Sequence, residues 1–244
     1  LTAAFANKCD ACISPSNHLA RILIDEGGLT VPCYVHPNGI NTKRYRDADP
    51  SDSPIKKNPG EKFIISVARL SPEKRQKALI EAIPFIPDTS IKLVLVGGGP
   101  YEPELRMRAE ELSVTDRVIF TGMQPSDKVA ALLKQADVFS LASYHFDNQP
   151  MTFLEAASSG LPIVYCDEQM TEGLTERNAI LTDGIEGESL ARAFNDLFSN
   201  PDKLKKMSRG SLEVAREFDS STMAMSMATL YEKLIRDYHG SAYH

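Results

Sequence analysis

Short apolar runs rich in Val and Ile recur along this chain, with stretches of helical apolar spacing between them, and that alternation restricts the fold more than any other feature. The runs at 11–14, 32–35, 63–68, 91–96, 117–121, 138–141, 162–166 and 179–181 read as strands. Between them Leu79, Ile80 and Ile83, then Val129, Leu132, Leu133 and Ala136, then Leu190, Phe194, Leu197 and Phe198 repeat with a helical period. A strand that is apolar on both faces must be covered on both faces. A helix between consecutive strands returns the chain to the same end of the sheet, which makes the pairing parallel. The expected class is α/β, a Rossmann-like doubly wound parallel sheet.

The rhythm breaks once, at NGINTKRYRDADPSDSPIKKNPGEK over 38–62. Its Asp, Ser, Pro, Gly and Lys bury too little apolar surface to fold alone, so it reads as a linker with a boundary inside it, dividing 1–58 from 59–244. The part before it supplies a strand, a helix and a strand, while six strands follow it. The last helix, 220–238, is expected to bury Met223, Met227, Leu230, Tyr231 and Leu234 on one face.

Composition excludes several classes. With 33 acidic against 27 basic residues and a net charge of -6, a nucleic-acid partner held by phosphate neutralisation is not expected. Four Cys in 244 residues do not make a disulfide scaffold. Cys9 and Cys12 form a C-x-x-C without a second spaced pair, and the thiols read as buried in a reducing cytoplasm. No stretch approaches the roughly 18 to 20 apolar residues of a membrane span, and the first residues lack the order of a signal peptide. The chain does not open on Met and is expected to be a piece of a longer protein.

In doubly wound sheets ligands bind beyond the carboxyl ends of the strands, so the loops after each strand hold the candidates. Arg69 and Lys74 follow the strand at 63–68, a planar fork and a movable point charge suited to a diphosphate. Gly97, Gly98 and Gly99 follow the next strand, where they permit either a close backbone approach to a ligand or a tight turn. Gly122 and Met123 follow the third. After the fourth, Asp147 stands in a loop and Glu155 in a helix, with the Met151 and Thr152 amides at an unpaired helix start that attracts anions. His145 lies beside the acids. Two carboxylates also allow a glycosidase pair or simple helix-capping acids. No carboxylate pair at a strand end is spaced to hold a metal, and Asp47-Ala48-Asp49 reads as solvated.

Taken in order, R-L-x-x-E-K, V-G-G-G-P, F-T-G, the acids with seven residues between them and E-A-x-x-x-G-L-P-I-V resemble the C-terminal, donor-binding half of a GT-B glycosyltransferase of family 4. Ser14-Pro15-Ser16 and Pro37-Asn38-Gly39-Ile40-Asn41 are similar to earlier motifs of that family. The resemblance runs from about residue 11 to the C-terminus. It implies a cytoplasmic, retaining hexosyltransferase that takes a nucleotide sugar, a UDP-sugar by family frequency, to a lipid, polysaccharide or other cell-envelope acceptor without a metal or other cofactor. On this reading 1–58 is the tail of an N-terminal acceptor domain plus the interdomain linker, and 59–244 binds the donor. Any peripheral contact with the inner face of a membrane would be made by the N-terminal domain, and this chain alone would be inactive. Arg69 and Lys74 are implied to hold the diphosphate with the Met151 and Thr152 amides, Glu155 to accept the ribose hydroxyls, Asp147 to orient the sugar, and the base to lie against Gly122 and Met123. Three residues depart from the family pattern: Asp147 stands where Glu is usual, Arg75 where Gly is common, and Pro150 removes an amide. A GT-B epimerase and a non-catalytic nucleotide-sugar module remain open as alternatives.

Overall fold

The computed structural model describes residues 2–241. Its strands are β1 (Cys12–Ser14), β2 (Cys33–Val35), β3 (Lys62–Val67), β4 (Ile91–Val96), β5 (Val118–Gly122), β6 (Val138–Leu141), β7 (Ile163–Tyr165) and β8 (Ala179–Leu181). Helices α1 (Thr2–Ala6), α2 (Asn17–Asp25) and α3 (Thr42–Arg46) precede β3. Between and after the later strands come α4 (Gln76–Ala82), α5 (Glu102–Glu111), α6 (Ser126–Gln135), α7 (Met151–Ser158), α8 (Gly187–Ser199), α9 (Pro201–Glu217) and α10 (Ser220–Ser241).

The main sheet runs β5-β4-β3-β6-β7-β8 with every pair parallel, and β1 and β2 form a separate parallel pair. This is the α/β doubly wound sheet expected from the alternation. Successive residues of a strand face opposite sides, and the core divides accordingly. Ile64, Leu93 and Leu95 pack with α4, α5 and α8 on one face, whereas Phe63, Ile65, Val94 and Val96 pack with α6 and α7 on the other. The chain winds from β3 outward to β5, then returns to lay β6 on the other side of β3. That reversal sets the binding crevice, because the connections leaving β3 and β6 diverge to opposite faces. The β3–β6 register pairs Ile64 with Val138 and Ile65 with Phe139.

The polar segment over 38–62 is not a free linker. Asn41 caps α3 by accepting from the Arg44 amide, Thr42 donates to Asp219 at 2.5 Å, and Tyr45 is 7% exposed where α3 packs on α6 and α7. Farther along, the Lys57 ammonium lies 2.6 Å from the Asp137 carboxylate, which also accepts from the Phe63 amide. Composition reports that such a segment cannot fold by itself. It is silent on docking, which here rests on Ile40, Tyr45 and bonds to residues far away in sequence.

Two further expectations need correcting. Met223, Met227, Leu230 and Leu234 of α10 are half-buried rather than buried, and Tyr231 is 54% exposed, because the helix lies along the small β1–β2 sheet instead of inside a two-sided core. The thiols are not uniformly buried: Cys166 is, Cys12 and Cys33 are half-buried neighbours across β1 and β2, and Cys9 is exposed. Among the described residues no helix is long and apolar enough to cross a membrane.

Candidate functional site

The loop after β3 is held by its own short-range bonds. The Ser71 hydroxyl donates to the Glu73 carboxylate at 2.6 Å, and a single tight turn over Pro72–Lys74 leads into α4. The turn requires Arg75 in the left-handed region, φ 51° and ψ 31°, where a side chain is strained by roughly 1 to 2 kcal/mol and glycine is not. The arginine is anchored there by donating to the Ile185 carbonyl at 2.8 Å. Arg69 is exposed, and Lys74 is turned inward toward the loop after β6.

Gly97, Gly98 and Gly99 meet that loop from the side. A Cβ on Gly97 would sit 2.0 Å from the Ala68 carbonyl oxygen, and one on Gly99 would sit 2.1 Å from that of Leu70. The bare backbone therefore lets the loops after β3 and β4 close on each other, sealed by the Leu70 amide donating to the Gly98 carbonyl. Gly122 has φ +68° with open space where a Cβ would be. Beside it Met123 is 84% exposed. A cavity of about 490 Å³ opens at these strand ends, lined in part by Ala68, Arg69, Gly97, Gly98, Met123 and Thr152. Gly99 and Gly122 do not line it.

The loop after β6 contributes the acids. Asp147 accepts from Lys74 at 2.5 Å and from the Ser143 hydroxyl at 2.6 Å, in a pair whose side chains are 14% and 17% exposed. The two residues were singled out separately for sugar and diphosphate, 73 positions apart, and the fold brings them into one ion pair. Pro150 stands at the N-cap of α7 and no side chain caps the helix. The Met151 and Thr152 amides at its start therefore remain available to an anion.

Glu155, one turn into α7, is half-buried. Burial holds its carboxyl above the ordinary range, opposed by the neighbouring Tyr45 hydroxyl and by the charge of Arg44. The Tyr45 hydroxyl is raised in turn by burial and by Glu155. Arg44 also donates to the Ser126 hydroxyl of α6. Sequence reasoning missed Arg44 and Tyr45 because they lie in the segment read as linker. The available signal was Tyr45 itself, an aromatic side chain behind a capping Asn41 in an otherwise polar run. Of groups able to ligate a metal, His145, Asp167 and Glu168 offer atoms within 4.8 Å of one another. Asp167 is already occupied by the amides of His145 and Gln169 at 2.7 and 3.0 Å.

The arrangement presents an exposed guanidinium, a lysine paired to an acid, a helix start with free amides and, one turn farther along that helix, a half-buried carboxylate. Cations and amides complement phosphate oxygens, and carboxylates accept from sugar hydroxyls. The family model for glycosyl transferases group 1 matches residues 47–213, more than half of the chain. The alpha-monoglucosyldiacylglycerol synthase of Streptococcus pneumoniae is 32% identical over 173 residues, covering 67% of this chain and 39% of the relative. A GDP-mannose-dependent alpha-(1-6)-phosphatidylinositol monomannoside mannosyltransferase of Mycolicibacterium smegmatis is 29% identical over 189 residues, covering 70% of this chain and 48% of the relative. The chain thus spans about half the length of the curated relatives it matches. Among solved structures, Anabaena Alr3699/HepE in complex with UDP and glucose superposes with a TM-score of 0.85 at 24% identity, covering 95% of this chain and 66% of that one.

Proposed function

The chain belongs to the glycosyl transferases group 1 family, and from that premise we propose that it forms the donor-binding half of a retaining glycosyltransferase that moves a sugar from a UDP-sugar to a lipid or other cell-envelope acceptor. The reading is supported by the cavity at the strand ends that Arg69 and Thr152 line together, by the Lys74–Asp147 pair that joins the loops after β3 and β6, and by the uncapped start of α7. In this reading Arg69, Lys74 and the Met151 and Thr152 amides bind the diphosphate and offset the charge that develops on it as the sugar leaves. Glu155 accepts the ribose hydroxyls. Asp147 orients the sugar and holds Lys74 ready, and the base lies in the cavity against Gly98 and Met123, with Gly122 leaving room at its edge. Fixed cations do the electrostatic work a metal would do, so no metal is required.

The solved relative carrying UDP supports a uridine donor, and the pneumococcal and mycobacterial relatives, named for lipid acceptors, support a lipid. Titration calorimetry with UDP, GDP and ADP tests the site directly. Tight UDP binding with weak GDP and ADP is the expected result. No binding of any of them at millimolar concentration would remove the donor-site reading.

A further inference from the structure

The loop after β6 turns back on itself between Ser143, which is fully buried, and Asp147, and the Ser143 hydroxyl donates to the Asp147 carboxylate across that turn at 2.6 Å. The residue midway, His145, lies in the left-handed region at φ 51°, a conformation that a side chain disfavours and that persists only where the surroundings impose it. Its own side chain is not the cause. The imidazole is exposed, stacks on the Tyr144 ring, and comes no closer than 3.7 Å to the Glu168 carboxylate. The anchor stands at the end of the neighbouring strand. Asp167 follows β7, is 0% exposed, and has both oxygens on backbone: Oδ2 accepts from the His145 amide at 2.7 Å and Oδ1 from the Gln169 amide at 3.0 Å. Just before it, the buried Cys166 thiol donates to the Ala142 carbonyl at 3.4 Å. The end of β7 thus grips the loop after β6 at its root and at its strained residue.

We propose that Asp167 is a positioning residue for Asp147: by holding the His145 amide it fixes the turn that aims the Asp147 carboxylate at the donor sugar. This rests on the donor-site reading above. Asp167 does not line the cavity at the strand ends, so its effect reaches the ligand through the backbone of residues 145–147. The diphosphate end is held separately. Arg69 belongs to the loop after β3, and the approach to α7 is pinned at Gln149, whose carbonyl oxygen accepts from the amide and side chain of Asn38 at 2.8 and 2.9 Å. Loss of the Asp167 anchor therefore acts on the sugar end and spares the phosphate end.

The test measures UDP and UDP-glucose binding by calorimetry on the 244-residue chain. The proteins are the unaltered chain, Asp147→Ala, Asp167→Ala, and Asp167→Ala combined with His145→Gly or with Asp147→Ala. Asp167→Ala should weaken UDP-glucose about tenfold, the order of one hydrogen bond to a charged group, and leave UDP unchanged. Adding His145→Gly should restore UDP-glucose, because glycine takes the left-handed conformation without an anchor; a role of Asp167 in stability alone would not be reversed in that way. In the Asp147→Ala background Asp167→Ala should change nothing further, the sign of two groups acting through one contact. If circular dichroism shows that Asp167→Ala does not fold, Asp167→Asn takes its place: one amide oxygen then serves two backbone donors, and a smaller loss confined to UDP-glucose is expected, again reversed by His145→Gly. Unchanged UDP-glucose affinity in the folded variant, an equal loss of both ligands, or a loss that glycine does not reverse would overturn this inference while leaving the donor site intact. An Asp147→Ala variant that binds UDP-glucose as the unaltered chain does would overturn the sugar role of Asp147 and this inference with it. Failure of the unaltered chain to bind UDP would overturn the donor-site reading as well.

Discussion

Replacing Asp147 by Ala separates the two tasks assigned to the loop after β6. The Lys74 ammonium lies 2.5 Å from one Asp147 oxygen, the Ser143 hydroxyl lies 2.6 Å from the other, and the paired side chains are 17% and 14% exposed. Breaking a fully buried pair costs about 3 to 5 kcal/mol and losing an exposed one at most about 1 kcal/mol. A pair this covered, losing a hydroxyl bond as well, falls between those limits at about 2 kcal/mol. For a chain of this length that corresponds to a fall of about 4 to 8 °C in Tm. The ligand should respond in the opposite sense. With Asp147 gone, Lys74 has no acid to neutralise it and meets a diphosphate with its full charge, so UDP should bind as tightly as before or more tightly, while UDP-glucose loses the contact to its sugar. Thermal unfolding and paired calorimetry with UDP and UDP-glucose measure both effects. An unchanged Tm, or an equal loss of affinity for both ligands, would refute the division of roles between Lys74 and Asp147.

Four further outcomes are expected. Arg69→Ala should weaken UDP by about 1.5 to 3 kcal/mol with little change in Tm, since the side chain is exposed; calorimetry and unfolding check this together. In the full-length enzyme EDTA should leave sugar transfer intact, and loss restored by Mn²⁺ would contradict catalysis by fixed cations. The 244-residue chain alone should bind donor without transferring sugar, since holding the second reactant in place contributes about 7 to 11 kcal/mol to such a reaction; product seen by mass spectrometry at the rate of the intact enzyme would place the acceptor site within these residues. Asp219 is held down to about 2 by donation from the Ser221 and Thr42 hydroxyls, below the unfolded value of about 3.9, so its stabilisation is complete above that value and is lost as pH falls through about 2. Asp219→Asn should flatten the urea-unfolding stability profile across that interval.

The sequence by itself carried the order and type of the strands, because an apolar run of four to six residues and the helical spacing after it are local signals. The eight runs correspond to β1–β8, with bounds shifted by no more than a residue or two. It also carried the motifs at the strand ends, since a parallel sheet places every such loop at one edge. It did not reveal α5, whose charged sequence exposes most of its surface and buries only Leu105 and Ala109. Nor did composition show that residues 38–62 are docked. The tertiary structure alone decided which of the strand-end residues meet. Lys74 reaches Asp147 because β6 returns to the side of β3, and Arg75 reaches the Ile185 carbonyl because the loops after β3 and β8 meet. A contact between residues 73 or 110 positions apart leaves no periodicity in the chain. It exists only once the strand order is set, and that order follows from packing both faces of the sheet at once.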